Sequence, residues 1–181
     1  LLDNISGQVV IAIEQLARQT EMETLSMTDP LTGLNNRRGF VENLEQLLGS
    51  ETAPQTPSAL FYIDLDNFKQ VNDTHGHQTG DEALLEVAAL LKQQIRGGDL
   101  AARLGGDECA LFLGGMTGAA AESKGQQMLA AAECLRGFSG DDAHPLGLSL
   151  GVAVYDPRTG ESLASLLRRA DEAMYGAKRG G

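Results

Sequence analysis

Two adjacent carboxylates follow a pair of glycines in the range 103–109, whose sequence is RLGGDEC. The flanking stretches 100–104 and 109–113 are apolar and bulky, which is typical of strands. Because glycine adopts positive φ without steric cost, the two glycines predict a tight β-hairpin with Asp107 and Glu108 just after its turn. Such a tip is either a solvated turn or a metal site, since Mg²⁺ binds a few carboxylate oxygens and shares its other positions with water and phosphates.

A second acidic strand end favours the metal site. The range 59–66, with the sequence ALFYIDLD, is apolar on both faces until it ends in acids, as expected of a central strand. Strand alternation places Asp64 and Asp66 on the same face. If this strand lies beside the hairpin, Asp64 can share cations with Asp107 and Glu108.

These motifs resemble the GGDEF domain, the catalytic domain of diguanylate cyclases. The blocks that carry the resemblance are TDPLTGLNNRR (28–38), DLDNFK (64–69), NDTHGH (72–77), GD (80–81), RLGGDE (103–108), SLGVA (149–153) and ADEAMYGAK (170–178). They stand in the family's order over 28–181. The sequence departs from the pattern at Cys109, where the family has phenylalanine.

The resemblance implies that two GTP molecules are joined into cyclic di-GMP with release of two pyrophosphates. It implies Mg²⁺ or Mn²⁺ held by Asp64, Asp107 and the backbone carbonyl of Leu65. Either Asp107 or Glu108 would help to deprotonate the attacking ribose hydroxyl. Adjacent strand residues point to opposite faces, and we favour Asp107 while both remain open.

The resemblance also assigns the substrate contacts. Asn72 and Asp81 match the guanine-reading positions, and an Asp can accept from the ring N–H and the amine of guanine. Lys178 matches a phosphate-binding lysine of the family. Independently of the resemblance, the N–H groups at the start of the short helix that carries Phe68, with Lys69 beside them, could cradle phosphate. Alternatively, these charges only suit the ends of their helices. The family has a further phosphate-binding arginine just beyond the position of residue 181, so this contact is expected to be either trimmed from the sequence or absent.

Arg96 and Asp99 have the spacing of the family's inhibitory RxxD site. Arginine grips a phosphate or guanine edge bidentately, so the resemblance implies cyclic di-GMP as an inhibitor as well as the product. The alternative is a salt bridge within a loop. Three other residues are interpreted as structural: Cys109 as an apolar filler whose thiolate is disfavoured beside two acids, and His75 and His77 as turn residues.

Composition limits the partners. The chain of 181 residues has a net charge of −11, which argues against a nucleic-acid-binding surface. No apolar run reaches the ~20 residues of a membrane span, so no membrane contact is expected from this segment. Two cysteines fit a reducing, cytoplasmic location.

Residues 1–27 form the first of two predicted units. Leu2, Ile5, Val9, Ala12 and Leu16 recur at helical spacing, which indicates a linker helix and a homodimer seam, or else an amphipathic helix packed on its own domain. This helix is similar to the last helix of GAF sensor domains, so we expect an upstream GAF-like sensor.

The second unit, 28–181, is predicted to be α+β, with a βααββαβ core like the nucleotide-cyclase palm and a central, mostly antiparallel sheet flanked by helices. The expected boundaries are a helix at 37–48, a short helix capped by Asp66, a helix capped by Thr79, a helix at 119–136, a strand at 146–154 and a helix from 163.

Three functions compete at this point. The first is an active, dimeric diguanylate cyclase with product inhibition. The second is a catalytically weak or degenerate GGDEF module that binds GTP or cyclic di-GMP as a signalling sensor. The third is a dimerising scaffold driven by residues 1–27.

Overall fold

The sheet brings the two acidic strand ends side by side. The computed structural model of the chain describes residues 26–51, 53–141 and 143–180. Its strands are β1 (Ser58–Asp66), β2 (Leu100–Gly105), β3 (Glu108–Leu113) and β4 (Gly147–Tyr155). They form an antiparallel sheet in the order β2-β3-β1-β4. The end of β1 pairs with the start of β3, where Asp64 is opposite Glu108.

Helices flank this sheet. They are α1 (Arg37–Gly49), α2 (Phe68–His75), α3 (His77–Lys92), α4 (Gly118–Ala131) and α5 (Leu163–Gly180), with 3₁₀ segments at Ala132–Phe138 and Pro157–Thr159. After α1 the order is βααββαβα, so the predicted α+β fold is confirmed. The helix predicted at 1–27 lies almost wholly outside the described residues. Within the described ranges, none of the helices has both the length and the hydropathy that a membrane span requires.

Alternate residues of β1 enter two separate cores. Phe61 and Ile63 pack with side chains of α3 and α4. Leu60 and Tyr62 pack with side chains of α1 and α5. The strand is therefore buried on both faces, as its continuous apolar run predicts. Since Asp64 shares the face of Tyr62, it lies on the side of the sheet that α5 covers.

Both predicted helix caps are wrong. The residue before α2 is Asn67, which has a left-handed φ of 63° and makes no side-chain cap hydrogen bond. Asp66 instead accepts a hydrogen bond from the Ser149 hydroxyl at 2.7 Å. Helix α3 begins at His77, directly after Gly76, whose φ of 87° turns the chain from α2 into α3. The turn therefore sets this boundary, before the chain reaches Thr79.

Two other boundaries shift. The helix predicted at 119–136 ends at Ala131, and the chain continues as a 3₁₀ segment to Phe138. Ala132 and Leu135 are buried in this segment, so the apolar pattern continues although the helix type changes. The last strand runs over 147–155, one residue later than predicted.

Candidate functional site

The hairpin between β2 and β3 places Asp107 beside the end of β1. Gly105 and Gly106 have φ values of 147° and 54°, which favour glycine at both positions. The carbonyl of Asp107 accepts a hydrogen bond from the Leu65 N–H at 3.2 Å. The N–H and C=O of a strand residue point toward the same neighbouring strand. The Leu65 carbonyl therefore also points toward the hairpin that carries Asp107.

Asp64 is the buried acid of this site, with 8% of its surface exposed. Burial raises the pKa of its carboxyl, a hydrogen bond from Lys178 opposes that shift, and the nearby Asp107 and Asp66 raise the pKa further. Lys178 Nζ, at the end of α5, lies 2.5 Å from Asp64 Oδ1. The end of β1 is therefore a place of crowded negative charge that attracts cations.

The donors gathered here fit a hard divalent cation. Within the described ranges, no group of three or more His, Cys, Asp or Glu side chains is placed to hold a metal ion. The oxygen donors at this strand end are the carboxylates of Asp64 and Asp107 and the carbonyl of Leu65. Such a small set of oxygen donors suits Mg²⁺, which retains water and takes further oxygens from substrate phosphates.

Glu108 differs from Asp107 in its contacts. Its Oε2 accepts hydrogen bonds from Arg37 Nη2 at 3.1 Å and from the Tyr62 hydroxyl at 3.3 Å. Burial raises the pKa of Tyr62, a shift that the hydrogen bond with Arg37 opposes. The Asp107 side chain makes no hydrogen bond with any residue that the structure describes. Sequence reasoning missed both partners of Glu108, although Tyr62 stands two residues before Asp64 and hence on the same face.

Asn72 and Asp81 lie at the junction of α2 and α3. A Cβ placed on Gly80, the neighbour of Asp81, would lie 2.0 Å from Asn72 Oδ1, so the Asn72 side chain rests directly on this glycine. Asn72 is half-buried and Asp81 is exposed. Neither side chain hydrogen-bonds to the described part of the chain, so both can contact a ligand.

The start of α2 offers donors near the acidic strand end. The N–H groups of Phe68 and Lys69 have no hydrogen-bond acceptor among the described residues. Phe68 packs its ring against the core, whereas Lys69 is exposed at the rim of a depression of about 350 Å³. A larger cavity of about 710 Å³ lies between the start of β4 and the end of α5, and both Asp66 and Lys178 line it.

Arg96 and Asp99 lie at the other end of β2 from the hairpin. Asp99 accepts hydrogen bonds from the backbone N–H of Arg96 at 3.0 Å and of Gly114 at 2.9 Å. Arg96 Nη2 donates to the Gly114 carbonyl at 2.8 Å, but 74% of the Arg96 side chain is exposed. Together with Lys124 they line a cavity of about 330 Å³. The loop contact and an open basic surface are thus both present.

Cys109 has the buried position predicted for an apolar filler, and His75 and His77 flank the turn at Gly76. Cys109 is 2% exposed within the core, and this burial raises the pKa of its thiol to about 12. The His75 ring contacts the Ser139 carbonyl at 2.9 Å, which links α2 to the loop before β4.

The chain is similar in sequence to known proteins. The family model for the diguanylate cyclase GGDEF domain matches residues 26–181. The diguanylate cyclase TpbB of Pseudomonas aeruginosa is 38% identical over 152 residues, covering 83% of this chain and 35% of TpbB. Other curated relatives are likewise much longer, since the chain spans 30% of one and 22% of another.

Solved structures are similar as well. The GGDEF domain of DgcB from Caulobacter crescentus, in complex with cyclic di-GMP, has a TM-score of 0.75 and 33% identity, covering 86% of this chain and 92% of that one. A structure of the coiled coil and GGDEF domain of DgcB, also with cyclic di-GMP, has a TM-score of 0.71 and 30% identity, covering 99% of this chain and 95% of that one.

Proposed function

Since the chain belongs to the GGDEF family of diguanylate cyclases, we propose that it condenses two GTP molecules into cyclic di-GMP and releases two pyrophosphates. The observation that carries this proposal is the convergence of Asp64, Asp107 and the Leu65 carbonyl at one strand end. In each step a ribose 3′-oxygen bonds to the α-phosphorus of the other nucleotide. The bond from that phosphorus to the pyrophosphate oxygen breaks, and the hydroxyl proton leaves.

The acidic end of β1 is the proposed metal site. Mg²⁺ or Mn²⁺ held by Asp64, the Leu65 carbonyl and Asp107 would neutralise phosphate charge and lower the pKa of the attacking hydroxyl. We assign the help in deprotonation to Asp107. Glu108 is already bound by Arg37 and Tyr62, which disfavours its movement toward a substrate hydroxyl.

The proposed substrate contacts are groups around this centre, most of which have no hydrogen-bond partner among the described residues. Asn72 and Asp81 would read the guanine edge, because an aspartate accepts from guanine donors that adenine lacks. The N–H groups of Phe68 and Lys69 and the Lys69 side chain would hold phosphate oxygens. Lys178 lies between Asp64 and the cavity of about 710 Å³, and it can contact a triphosphate there.

Assembly and regulation form the second part of the proposal. One domain offers one set of guanine-reading residues, so joining two GTP molecules requires a homodimer, which residues 1–27 would hold together. The likeness of the chain to the coiled coil and GGDEF domain of DgcB over 99% of its length supports this. The cyclic di-GMP bound to the GGDEF domain of DgcB supports the product as a ligand here. We assign its inhibitory site to Arg96 and Asp99.

Incubation of the chain with GTP or ATP tests the proposal. With Mg²⁺ or Mn²⁺ present, chromatography should show GTP converted to cyclic di-GMP and ATP unchanged. If GTP binds but is not converted, the chain is a nucleotide-binding sensor module. If neither nucleotide binds, the dimerising scaffold is the remaining candidate function.

A further inference from the structure

The segment that leads into α1 lies along the outer edge of the catalytic hairpin. We call residues 26–37 the junction. Asn35 donates its N–H to the Ala101 carbonyl at 3.2 Å and accepts from the Arg103 N–H at 2.9 Å, so the junction pairs with β2. Any displacement of the junction therefore acts directly on the strand that enters the hairpin.

Arg103 joins the junction to the hairpin turn. Its Nε and Nη2 both donate to the carbonyl of Gly106, at 3.0 and 2.8 Å, and Gly106 directly precedes Asp107. Its Nη1 lies 3.3 Å from the carboxylate of Asp29 in the junction. The two side chains are only 16% and 17% exposed, so solvent screens this ion pair less than a surface pair.

Asp29 is itself held rigidly. Its Oδ1 accepts from the Thr32 N–H at 2.8 Å and the Thr32 hydroxyl at 2.6 Å, and Lys92 of α3 donates to the Thr32 carbonyl. Although burial acts to raise it, the pKa of Asp29 is lowered by these Thr32 hydrogen bonds and by Arg103. Asp29 therefore remains ionised at neutral pH and keeps its pair with Arg103.

A second junction residue holds the opposite side of the turn. Arg37 Nε donates to the Leu104 carbonyl at 3.2 Å, and its Nη2 donates to Glu108. Hydrogen bonds therefore hold the turn at three points: Leu104 before the two glycines, Gly106 as the second glycine, and Glu108 after them. Arg37 of the junction makes two of these contacts, and the third is made by Arg103 of β2, which pairs with Asp29 of the junction. The position of Asp107 therefore depends on the position of the junction.

We propose that Asp29 and Arg103 are positioning residues that couple the junction to the metal-binding hairpin. A shift of the segment entering the domain would move Asp107 relative to Asp64 and change cation affinity. The proposal rests on the proposed function only in taking Asp107 as a metal ligand. Residues that couple two elements in this way typically change an affinity by roughly two- to thirtyfold.

Metal binding and amide exchange of the full chain, without nucleotide, test the coupling. Asp29→Asn keeps the size of the side chain but removes its charge. We expect the Mn²⁺ Kd, measured by electron paramagnetic resonance, to rise roughly two- to thirtyfold. Amides of residues 103–109 should exchange faster, whereas those of α3 should keep their protection. The matched control is Asp156→Asn, which breaks an exposed pair with Arg158 and should change neither readout.

A second pair of variants displaces the junction without altering the hairpin. A Cβ on Gly39 would lie 2.0 Å from the Met27 carbonyl oxygen, whereas one on Gly49 of the same helix would meet nothing within 4 Å. Gly39→Ala should therefore weaken Mn²⁺ binding and speed exchange at 103–109, and Gly49→Ala should not.

Folded Asp29→Asn and Gly39→Ala proteins with unchanged hairpin exchange and Mn²⁺ affinity would overturn the coupling. So would an equal effect of the control variants. Both readouts are independent of turnover. A chain that shows the coupling but leaves GTP unconverted would therefore count against the proposed function alone.

Discussion

At the scale of single residues, Asp107 and Glu108 are adjacent in the chain but have different surroundings. Glu108 is bound by a guanidinium and a phenol, whereas Asp107 has no side-chain hydrogen bond within the described ranges. The backbone produces this division, since Asp107 belongs to the turn whereas Glu108 is the first residue of β3 and is paired with Asp64 of β1. Asp107 is therefore suited to bind a ligand, and Glu108 is suited to stabilise the hairpin.

Two isosteric variants test this division. Asp107→Asn should lower GTP turnover by roughly a hundredfold or more, because it removes a charge at the reacting atoms. Glu108→Gln should cost less, since a neutral amide can still accept from Arg37 and Tyr62. Initial rates with GTP and Mg²⁺ compare the two. Near-normal turnover in Asp107→Asn with a large loss in Glu108→Gln would reverse the assignment.

The two cysteines provide a further residue-level prediction. Cys109 is buried with its thiol pKa raised to about 12, and Cys134 is exposed. Because the thiolate is the nucleophile, the folded protein at pH 8 should show one rapidly reacting thiol, and both should react in denaturant. Cys134→Ala should remove the rapid phase. Its persistence in that variant would show that Cys109 is accessible.

At the scale of elements, the site depends on how closely α5 approaches the sheet, because α5 carries Lys178. Gly151 of β4 makes this approach possible. A Cβ at this position would lie 2.1 Å from the Ala170 carbonyl oxygen and 2.2 Å from the Met174 nitrogen, both in the backbone of α5. The backbone of α5 cannot move away from such a Cβ without separating from the sheet.

Gly151→Ala should therefore destabilise the fold by about 1–3 kcal/mol, the usual cost of overpacking. Urea denaturation followed by circular dichroism measures the free energy of unfolding. Gly49→Ala is the control, since its methyl meets nothing and helix propensity favours alanine. Equal stability of the Gly151→Ala protein and the original chain would mean that α5 does not pack this closely.

The sequence predicted most of these elements, because β1 and α3 have clear apolar patterns and the hairpin glycines mark their turn. It did not predict contacts between distant positions. Arg37 and Glu108 are 71 residues apart, and Asp66 and Ser149 are 83 apart. The wrong prediction at Asp66 has this cause. A local sequence rule assigned its carboxylate to a helix cap, whereas in the structure the carboxylate accepts a hydrogen bond from the distant Ser149. The roles of the site residues stay predictions.

At the scale of the whole molecule, β2 connects the two proposed ligand sites. The hairpin proposed to bind the metal lies at one end of β2, and Arg96 and Asp99 precede its other end. Six strand residues span roughly 17 Å, so one cyclic di-GMP cannot occupy both places. Product inhibition at Arg96 would therefore be allosteric, with the product bridging two domains and holding their active sites apart.

Arg96→Ala should weaken cyclic di-GMP binding by roughly five- to a hundredfold and so relieve this inhibition. Initial rates should stay near those of the original chain. Calorimetric titration and initial-rate assays measure the two effects. Arg168→Ala, which removes an exposed arginine paired with Glu172, is the matched control. Equal inhibition of the Arg96→Ala and control proteins would leave Arg96 and Asp99 as a loop contact only.

The ratio of pyrophosphate released to cyclic di-GMP formed most directly tests whether the chain condenses two GTP molecules. With purified chain, GTP and Mg²⁺ or Mn²⁺, mass spectrometry and a phosphate assay should give two pyrophosphates for each cyclic di-GMP. The specific rate should rise with protein concentration, because two domains must meet. Asp107→Asn should form neither product at a comparable rate. GTP that is bound but remains unconverted at high protein concentration would contradict diguanylate cyclase activity of this chain.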